Sequence, residues 1–201
     1  MRKGNAFVDT VSRIVAEGMQ HGIVHLYTED ERFTGNAVTL RGKRVVNFGS
    51  CSYLGLEFDP RLKQAAQDAI ERYGTQFSES RAYVSLTLYK ELEELLERMF
   101  EAHCVITPTT TLGHIAAIPA LVNDEDAVII DQQVHNSVQT AVNLLKPRGI
   151  HVEIVRHSRM DLLEERIIAL QAKHAKIWYL ADGIYSMFGD ECPIRVIYRL
   201  L

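Results

Sequence analysis

The sequence predicts an α/β fold: a mostly parallel sheet with helices on both faces, preceded by an N-terminal helix and a β-hairpin. From residue 104 onward, short apolar runs alternate strictly with helical segments. Strand and helix in turn imply right-handed crossovers and a parallel sheet. A length of 201 residues and a hydrophobic fraction of 47% suit a globular protein with a full core.

The N-terminal part is predicted to be a helix and hairpin segment over residues 1–58, followed by a larger domain over residues 59–201. Apolar residues at helical spacing predict a helix at residues 6–20. Residues 38–40 and 45–48 are apolar runs on either side of a short basic turn, which predicts a hairpin.

The larger domain is predicted to begin with two helices. Asp59 followed by Pro60 is a helix cap with a first-turn proline, and Gly74 ends that helix. A polar loop at residues 75–81 precedes a strongly amphipathic helix at residues 88–99. The alternation then predicts four strands, the helices between them and a final helix from Ile194; the strands are at residues 104–106, 127–130, 152–155 and 177–180, and the helices between them at 112–121, 134–145 and 162–172.

Composition excludes several classes of partner and site. The net charge of −4, with Lys and Arg dispersed, argues against nucleic acid or an anionic membrane. No apolar run approaches the roughly 20 residues of a membrane span, and no signal peptide is predicted. Cys51, Cys104 and Cys192 are widely spaced, so neither a disulfide framework nor a metal site is predicted. We expect a cytoplasmic protein.

Three common nucleotide-binding and catalytic signatures are absent from the sequence. There is no G-x-G-x-x-G, no G-x-x-x-x-G-K-[ST] and no G-x-S-x-G. A dinucleotide fold, a P-loop enzyme and an α/β-hydrolase are therefore not indicated.

Polar side chains nonetheless follow three of the predicted strands. Thr110 and Thr111 open a helix whose free amides could hold a phosphate, although threonines also simply cap helices. His135 could stack on a planar ring, although a solvated histidine is the commoner case at a helix start. Asp182 and Ser186 follow the last strand, where an aspartate commonly caps a turn. Because parallel strands end at one edge of a sheet, we expect these groups to surround one site.

Three stretches carry a resemblance to a known family. Residues 47–56 (NFGSCSYLGL) resemble the signature N-F-S-S-N-D-Y-L-G-L, and residues 131–137 resemble D-x-x-x-H-A-S. Residues 182–190 (DGIYSMFGD) resemble E/D-G-V-F-S-M-D-G-D. The sequence is thereby similar to the α-oxoamine synthases, fold-type I pyridoxal-phosphate-dependent acyl-CoA transferases such as 8-amino-7-oxononanoate synthase, 2-amino-3-ketobutyrate CoA ligase and serine palmitoyltransferase.

The resemblance implies a cofactor, pyridoxal 5'-phosphate (PLP), and a reaction in which an amino acid condenses with an acyl-CoA. By position, Thr110 and Thr111 match the residues that hold the cofactor phosphate. His135 matches the histidine that stacks on the pyridine ring. Asp182 matches the acidic residue of the last motif, and Ser186 the serine that contacts the cofactor. A homodimer, or a requirement for a complementary chain, is also implied.

The sequence departs from the family in its substrate-side motif and in its length. Cys51 stands where the family has asparagine, so the amino acid and the acyl group stay open. Family members are about twice as long, and their D-D-A-H-G motif and Schiff-base lysine lie beyond the matched part. We therefore expect an incomplete large domain that lacks the catalytic lysine and is inactive alone, poorly soluble or in need of a partner. The alternatives are a lysine-less, non-catalytic partner subunit and a plain α/β ligand-binding domain.

Overall fold

The computed structural model of the protein describes residues 5–33, 35–77 and 79–201. The chain divides into two compact units, Met1–Val84 and Ser85–Leu201. The predicted boundary between residues 58 and 59 rests on sequence motifs and stays a prediction.

The first unit contains the predicted helices and hairpin, which the structure confirms. Helix α1 (Ala6–Gln20) starts at Asn5, whose Oδ1 accepts a hydrogen bond from the Phe7 amide at 3.1 Å. Strands β1 (Ala37–Leu40) and β2 (Lys43–Val46) pair antiparallel. A turn with positive φ at both central residues joins them, as two-residue hairpins require.

Helix α2 (Pro60–Tyr73) completes the first unit and follows its sequence signals closely. The Asp59 carboxylate accepts from the Arg61 amide at 2.8 Å, which satisfies one of the free N–H groups of the first turn. Gly74 ends the helix with a φ of 80°, a backbone conformation in which glycine carries no steric penalty.

The second unit is built on a three-stranded parallel sheet in the order β4-β3-β5. Helices α3 (Thr87–Phe100) and α4 (Thr110–Leu121) precede the sheet along the chain. The remaining elements are β3 (Ala127–Asp131), α5 (Asn136–Asn143), β4 (His151–Val155), α6 (Met160–Leu170), β5 (Ile177–Leu180), the short strands β6 (Ile184–Tyr185) and β7 (Asp190–Glu191), and α7 (Ile194–Leu200).

Helices cover both faces of this sheet. The central strand β3 is buried along its whole length, and its side chains alternate between two apolar clusters. Val128 and Ile130 pack with side chains of α4 and α5. Ala127 and Ile129 pack on the opposite face with side chains of α6 and α7. This two-layered burial explains the unbroken apolar run of β3 and confirms the predicted fold class.

The strand predicted at residues 104–106 is wrong. This segment is irregular, and two of its backbone amides donate hydrogen bonds to side chains of α3. Glu93 Oε1 accepts from the Ile106 amide at 2.9 Å, and Glu97 Oε1 accepts from the Cys104 amide at 3.3 Å. Because carboxylates replace a neighbouring strand as acceptors, the described part of the sheet has three parallel strands instead of four.

The carboxyl end of α4 is closed by Arg148, which belongs to a turn that precedes β4. Its guanidinium donates to the carbonyl oxygens of Pro119 at 2.7 Å and Val122 at 3.0 Å, and to Asp124 Oδ1 at 2.8 Å. The last carbonyls of a helix have no intrahelical partner, so this cation satisfies and neutralises that end. Among the described residues, no helix combines the length and the apolar character needed to cross a bilayer.

Candidate functional site

A cavity of about 310 Å³ lies where β3 and β5 end, at the carboxyl edge of the sheet. Three of the residues that the sequence predicts for the site line it: His135, Asp182 and Ser186. The other residues that line it are Gln133, Val134, Asn136, Gln139, Tyr185, Met187 and Phe188. The loop after β3 and the segment after β5 therefore meet around one space, as strand ends in a parallel sheet do.

A hydrogen bond joins these two segments directly. The backbone N–H of His135 donates to Asp182 Oδ2 at 2.9 Å. The Asp182 carboxylate is thus held against the start of α5, where the positive end of the helix dipole favours a negative charge. The bond also fixes the backbone position from which the His135 ring enters the cavity.

His135 is itself the residue that caps α5. Its Nδ1 accepts from the Ser137 amide at 3.2 Å and lies 2.6 Å from Ser137 Oγ. The buried Ser137 hydroxyl also contacts His114 Nδ1 at 2.9 Å. Three side chains from α4 and α5 are therefore linked in one hydrogen-bonded chain.

The threonine segment lies on a second cavity. Thr109 caps α4 by accepting from the Leu112 amide at 3.1 Å, which leaves the amides of Thr110 and Thr111 in the uncapped first turn. Thr110 lines a cavity of about 530 Å³ together with Val105, Thr107, Gly113, His114, Ala116 and Ala117. Thr111 lines neither cavity. His114 lines this second cavity, and its hydrogen bond to Ser137 leads to His135, which lines the first.

A second polar cluster at the same sheet edge was not predicted as a site. Asp131 is fully buried at the end of β3 and accepts from the Gln133 amide at 2.7 Å and the Ser158 amide at 3.0 Å. His157 Nδ1 lies 2.9 Å from Asp131 Oδ1, and His157 Nε2 lies 2.6 Å from Asp190 Oδ2. Since ionised carboxylates only accept, this pair of contacts favours the imidazolium form, in which both ring nitrogens carry hydrogen.

The electrostatics of this cluster agree with its geometry. The carboxylates of Asp190 and Asp131 raise the pKa of His157 above its ordinary value. Burial opposes ionisation of Asp131, but the Ser158 and Gln133 amides and the His157 ring outweigh it and leave the pKa of Asp131 below its usual range. Burial, and then the Asp131 charge, raise the pKa of Tyr185.

The cluster holds in place the hairpin that forms one wall of the first cavity. The His157 ring packs edge-on against the Tyr185 ring, with centroids 4.4 Å apart. Tyr185 ends β6 and Asp190 begins β7, so Ser186 and Phe188 lie on the turn between two anchored residues. The only signal for His157 in the sequence is its position two residues after the apolar run of β4. Among the described residues, no group of three or more His, Cys, Asp or Glu side chains could hold a metal ion.

Comparison with known families and curated proteins identifies relatives for most of the chain. Residues 43–200 match the family described as aminotransferase class I and II. A putative 8-amino-7-oxononanoate synthase of Thermodesulfovibrio yellowstonii is 33% identical over 168 residues, which cover 83% of this chain and 42% of that protein. The serine palmitoyltransferase of Sphingobacterium spiritivorum is 33% identical over 179 residues, covering 88% of this chain and 44% of that protein.

Solved structures show the same fold. A Sphingomonas wittichii serine palmitoyltransferase superposes with a TM-score of 0.84 at 20% identity, covering 97% of this chain and 49% of that one. A serine palmitoyltransferase variant from S. paucimobilis with bound PLP-myriocin aldimine gives 0.82 at 22% identity, covering 98% and 50%.

The chain spans about half the length of the curated relatives it matches. These matches confirm the resemblance that the three sequence stretches predicted. The chain therefore belongs to the aminotransferase class I and II family, with relatives named 8-amino-7-oxononanoate synthase and serine palmitoyltransferase.

Proposed function

We propose that this chain supplies cofactor-binding residues to a PLP-dependent acyltransferase that condenses an amino acid with an acyl-CoA. The observation that carries the proposal is the shared cavity of His135, Asp182 and Ser186, whose walls are joined by the hydrogen bond from the His135 amide to Asp182. Family membership and the names of the relatives support the cofactor and the two substrates.

The side chains present fit a flat, phosphorylated pyridine. An imidazole offers a face on which an aromatic ring can stack, and a carboxylate and a hydroxyl can bind polar groups on that ring. Free first-turn amides and threonine hydroxyls suit a phosphate, so Thr110 and Thr111 are proposed to hold that end. When bound, PLP supplies an electron sink for the bonds at the amino acid's α carbon.

The residues of this chain are assigned to binding and orientation. His135 presents its ring, and Asp182 fixes the backbone on which that ring is mounted. Ser186 reaches the cavity from the turn that His157 and Asp190 anchor. None of the described residues that line the cavity is a lysine, so no covalent attachment to the cofactor is assigned here.

That no described residue lining the cavity is a lysine favours a second candidate function, that of a non-catalytic partner subunit. In either case this chain alone is expected to bind the cofactor without completing a turnover. Activity is expected only with a complementary chain that provides the lysine.

Calorimetric titration of the purified chain tests the proposal. The probe is pyridoxamine phosphate, which lacks the aldehyde and so cannot form Schiff bases with surface lysines. We expect saturable binding that pyridoxamine, which lacks the phosphate, does not reproduce. His135→Ala is expected to weaken binding by roughly threefold to tenfold, the range of one lost aromatic stacking contact. His103→Ala, at a fully exposed position, is the matched control.

Two outcomes would contradict the assignment. Absence of saturable binding would remove the cofactor role from these residues. A stoichiometric adduct with PLP that borohydride fixes would show that a lysine of this chain takes part after all.

A further inference from the structure

We propose that Ser137 and His114 are positioning residues that hold the ring of His135 in one tautomer, with its hydrogen on Nε2. The inference deepens the proposed function, on which it rests only for its consequence at the cofactor. It is carried by the hydrogen-bonded chain between α4 and α5.

The first step concerns the backbone of Ser137. Its N–H can only donate, and it points at His135 Nδ1 from 3.2 Å. Nδ1 must therefore offer a lone pair to this amide. In a neutral imidazole one nitrogen is the donor and the other the acceptor, so the hydrogen of His135 lies on Nε2.

The second step concerns the Ser137 hydroxyl, which is buried and lies 2.6 Å from the same Nδ1. A hydroxyl has one hydrogen to donate, and here Nδ1 takes it. The oxygen is left as an acceptor toward His114 Nδ1, at 2.9 Å. His114 must then carry hydrogen on Nδ1, and the donors run in one direction, from His114 through Ser137 to His135.

The third step concerns the orientation of the ring. The χ2 torsion of histidine is broad, so the backbone alone does not fix the plane of an imidazole. A half-turn of the His135 ring would replace Nδ1 by a C–H group in front of two Ser137 donors, leaving the buried hydroxyl without its acceptor. Because α4 packs on α5, the position of His114 at the other end of the hydrogen-bonded series is fixed as well.

A helix cap needs less than this arrangement provides. The amide of Ser137 alone would satisfy the cap function of His135. The hydroxyl of Ser137 and the ring of His114 add two further groups, one of which comes from another helix and lines the second cavity. These two groups determine the ring plane that His135 presents to a stacked cofactor.

Nitrogen NMR of the uniformly labelled chain, without cofactor, tests the assignment. Long-range proton–nitrogen correlations distinguish protonated from unprotonated imidazole nitrogens, and His135→Gln identifies the His135 signals by their loss. In the neutral ring we expect an unprotonated Nδ1 and a protonated Nε2 at His135, and a protonated Nδ1 at His114. A His135 ring that is mainly Nδ1–H, or an even mixture, would overturn the proposal.

Variants separate the positioning role from the cap. Ser137→Ala keeps the backbone amide and removes the hydroxyl, and we expect the tautomer ratio of His135 to fall about fivefold, as for one lost hydrogen bond. His114→Leu is expected to shift the ratio in the same direction. His114→Asn, whose amide nitrogen can occupy the place of Nδ1, is expected to restore it, and His103→Leu to leave it unchanged.

If both Ser137→Ala and His114→Leu leave the ratio at its original value, the cap alone sets the tautomer and the proposal fails. If Ser137→Ala does not fold, the comparison of His114→Leu with His114→Asn still tests the proposal. The cofactor enters only in a separate titration with pyridoxamine phosphate. A single Nε2–H tautomer without cofactor binding would contradict the proposed function but not this inference. Cofactor binding with mixed tautomers would contradict this inference but not the proposed function.

Discussion

His157 Nε2 lies 2.6 Å from Asp190 Oδ2, and this contact ties the turn that carries Ser186 and Phe188 to the sheet. The other nitrogen of the ring contacts Asp131 at the end of β3. One ring thus joins the centre of the sheet to the hairpin that forms one wall of the candidate cofactor cavity.

The charge of His157 predicts how stability depends on pH. Its pKa is raised in the folded chain, so its contribution is fully present below the unfolded pKa and is lost as pH rises through the folded pKa. The titratable groups that face it are Asp131, Asp190 and Tyr185, and burial keeps the tyrosine neutral in this range. We expect the free energy of unfolding to fall across that window in urea titrations at successive pH values.

His157→Gln should remove this fall in unfolding free energy with rising pH, because an amide does not titrate. His103→Gln changes a fully exposed ring that contacts one carboxylate, that of Glu97, at 3.3 Å, and it should keep the original profile because exposed ion pairs contribute little. If the unfolding free energy of His157→Gln falls with pH as before, some other group causes the pH dependence.

Removal of the second carboxylate is predicted to loosen the turn without unfolding the sheet. Asp190→Ala should cost about 1 kcal/mol of unfolding free energy, less than for a fully buried charged pair because the Asp190 side chain is 44% exposed. It should also weaken pyridoxamine phosphate binding, because Ser186 lies on the released turn. Asp161→Ala breaks an exposed ion pair with Arg159 and should change neither quantity by more than a few tenths of a kcal/mol.

Arg148 is predicted to stabilise the second unit through the end of α4. Arg148→Met keeps much of the apolar stem and removes three hydrogen bonds, of which one is to the Pro119 carbonyl in α4 and one to the Val122 carbonyl just after it. We expect a loss of about 1–2 kcal/mol in urea denaturation. Arg159→Met, which removes an exposed guanidinium, is the comparison, and an equal loss in both variants would contradict the cap.

Gly113 is predicted to be coupled energetically to Thr107. A Cβ on Gly113 would lie 2.9 Å from Thr107 Oγ1, which donates to the Thr109 carbonyl at 2.9 Å. Gly113→Ala gains about 1 kcal/mol of helix propensity but displaces that hydroxyl, so the single variant should be neutral or destabilised. In a Thr107→Ala background the same change should stabilise by about 1 kcal/mol, and additive effects in the double-mutant cycle would rule the contact out.

The sequence predicted the elements whose signals are local. Asp59, Pro60 and Gly74 placed both ends of α2, because a cap and a stop act within one turn. The parallel sheet followed from the alternation of strands and helices. The failure at residues 104–106 has a physical reason: a short apolar run cannot reveal that its amides bond to Glu93 and Glu97 of α3 instead of a strand.

The candidate site divides in the same way. His135, Asp182 and Ser186 could be found from motifs and from the rule that strand ends converge. His157 could not, because its partners lie 26 and 33 residues away and neither spacing is periodic. His114 was equally hidden, since its link to Ser137 depends on how α4 packs on α5.

The central position of β3 provides a reference for amide hydrogen exchange in the second unit. β3 pairs with β4 on one side and with β5 on the other. Its amides can exchange with deuterium only when the sheet itself separates, so uptake at Val128 and Ile130 reports global opening. Faster uptake at His135 and Ser137 would then measure, on the same scale, how often the rim of the cavity opens by itself.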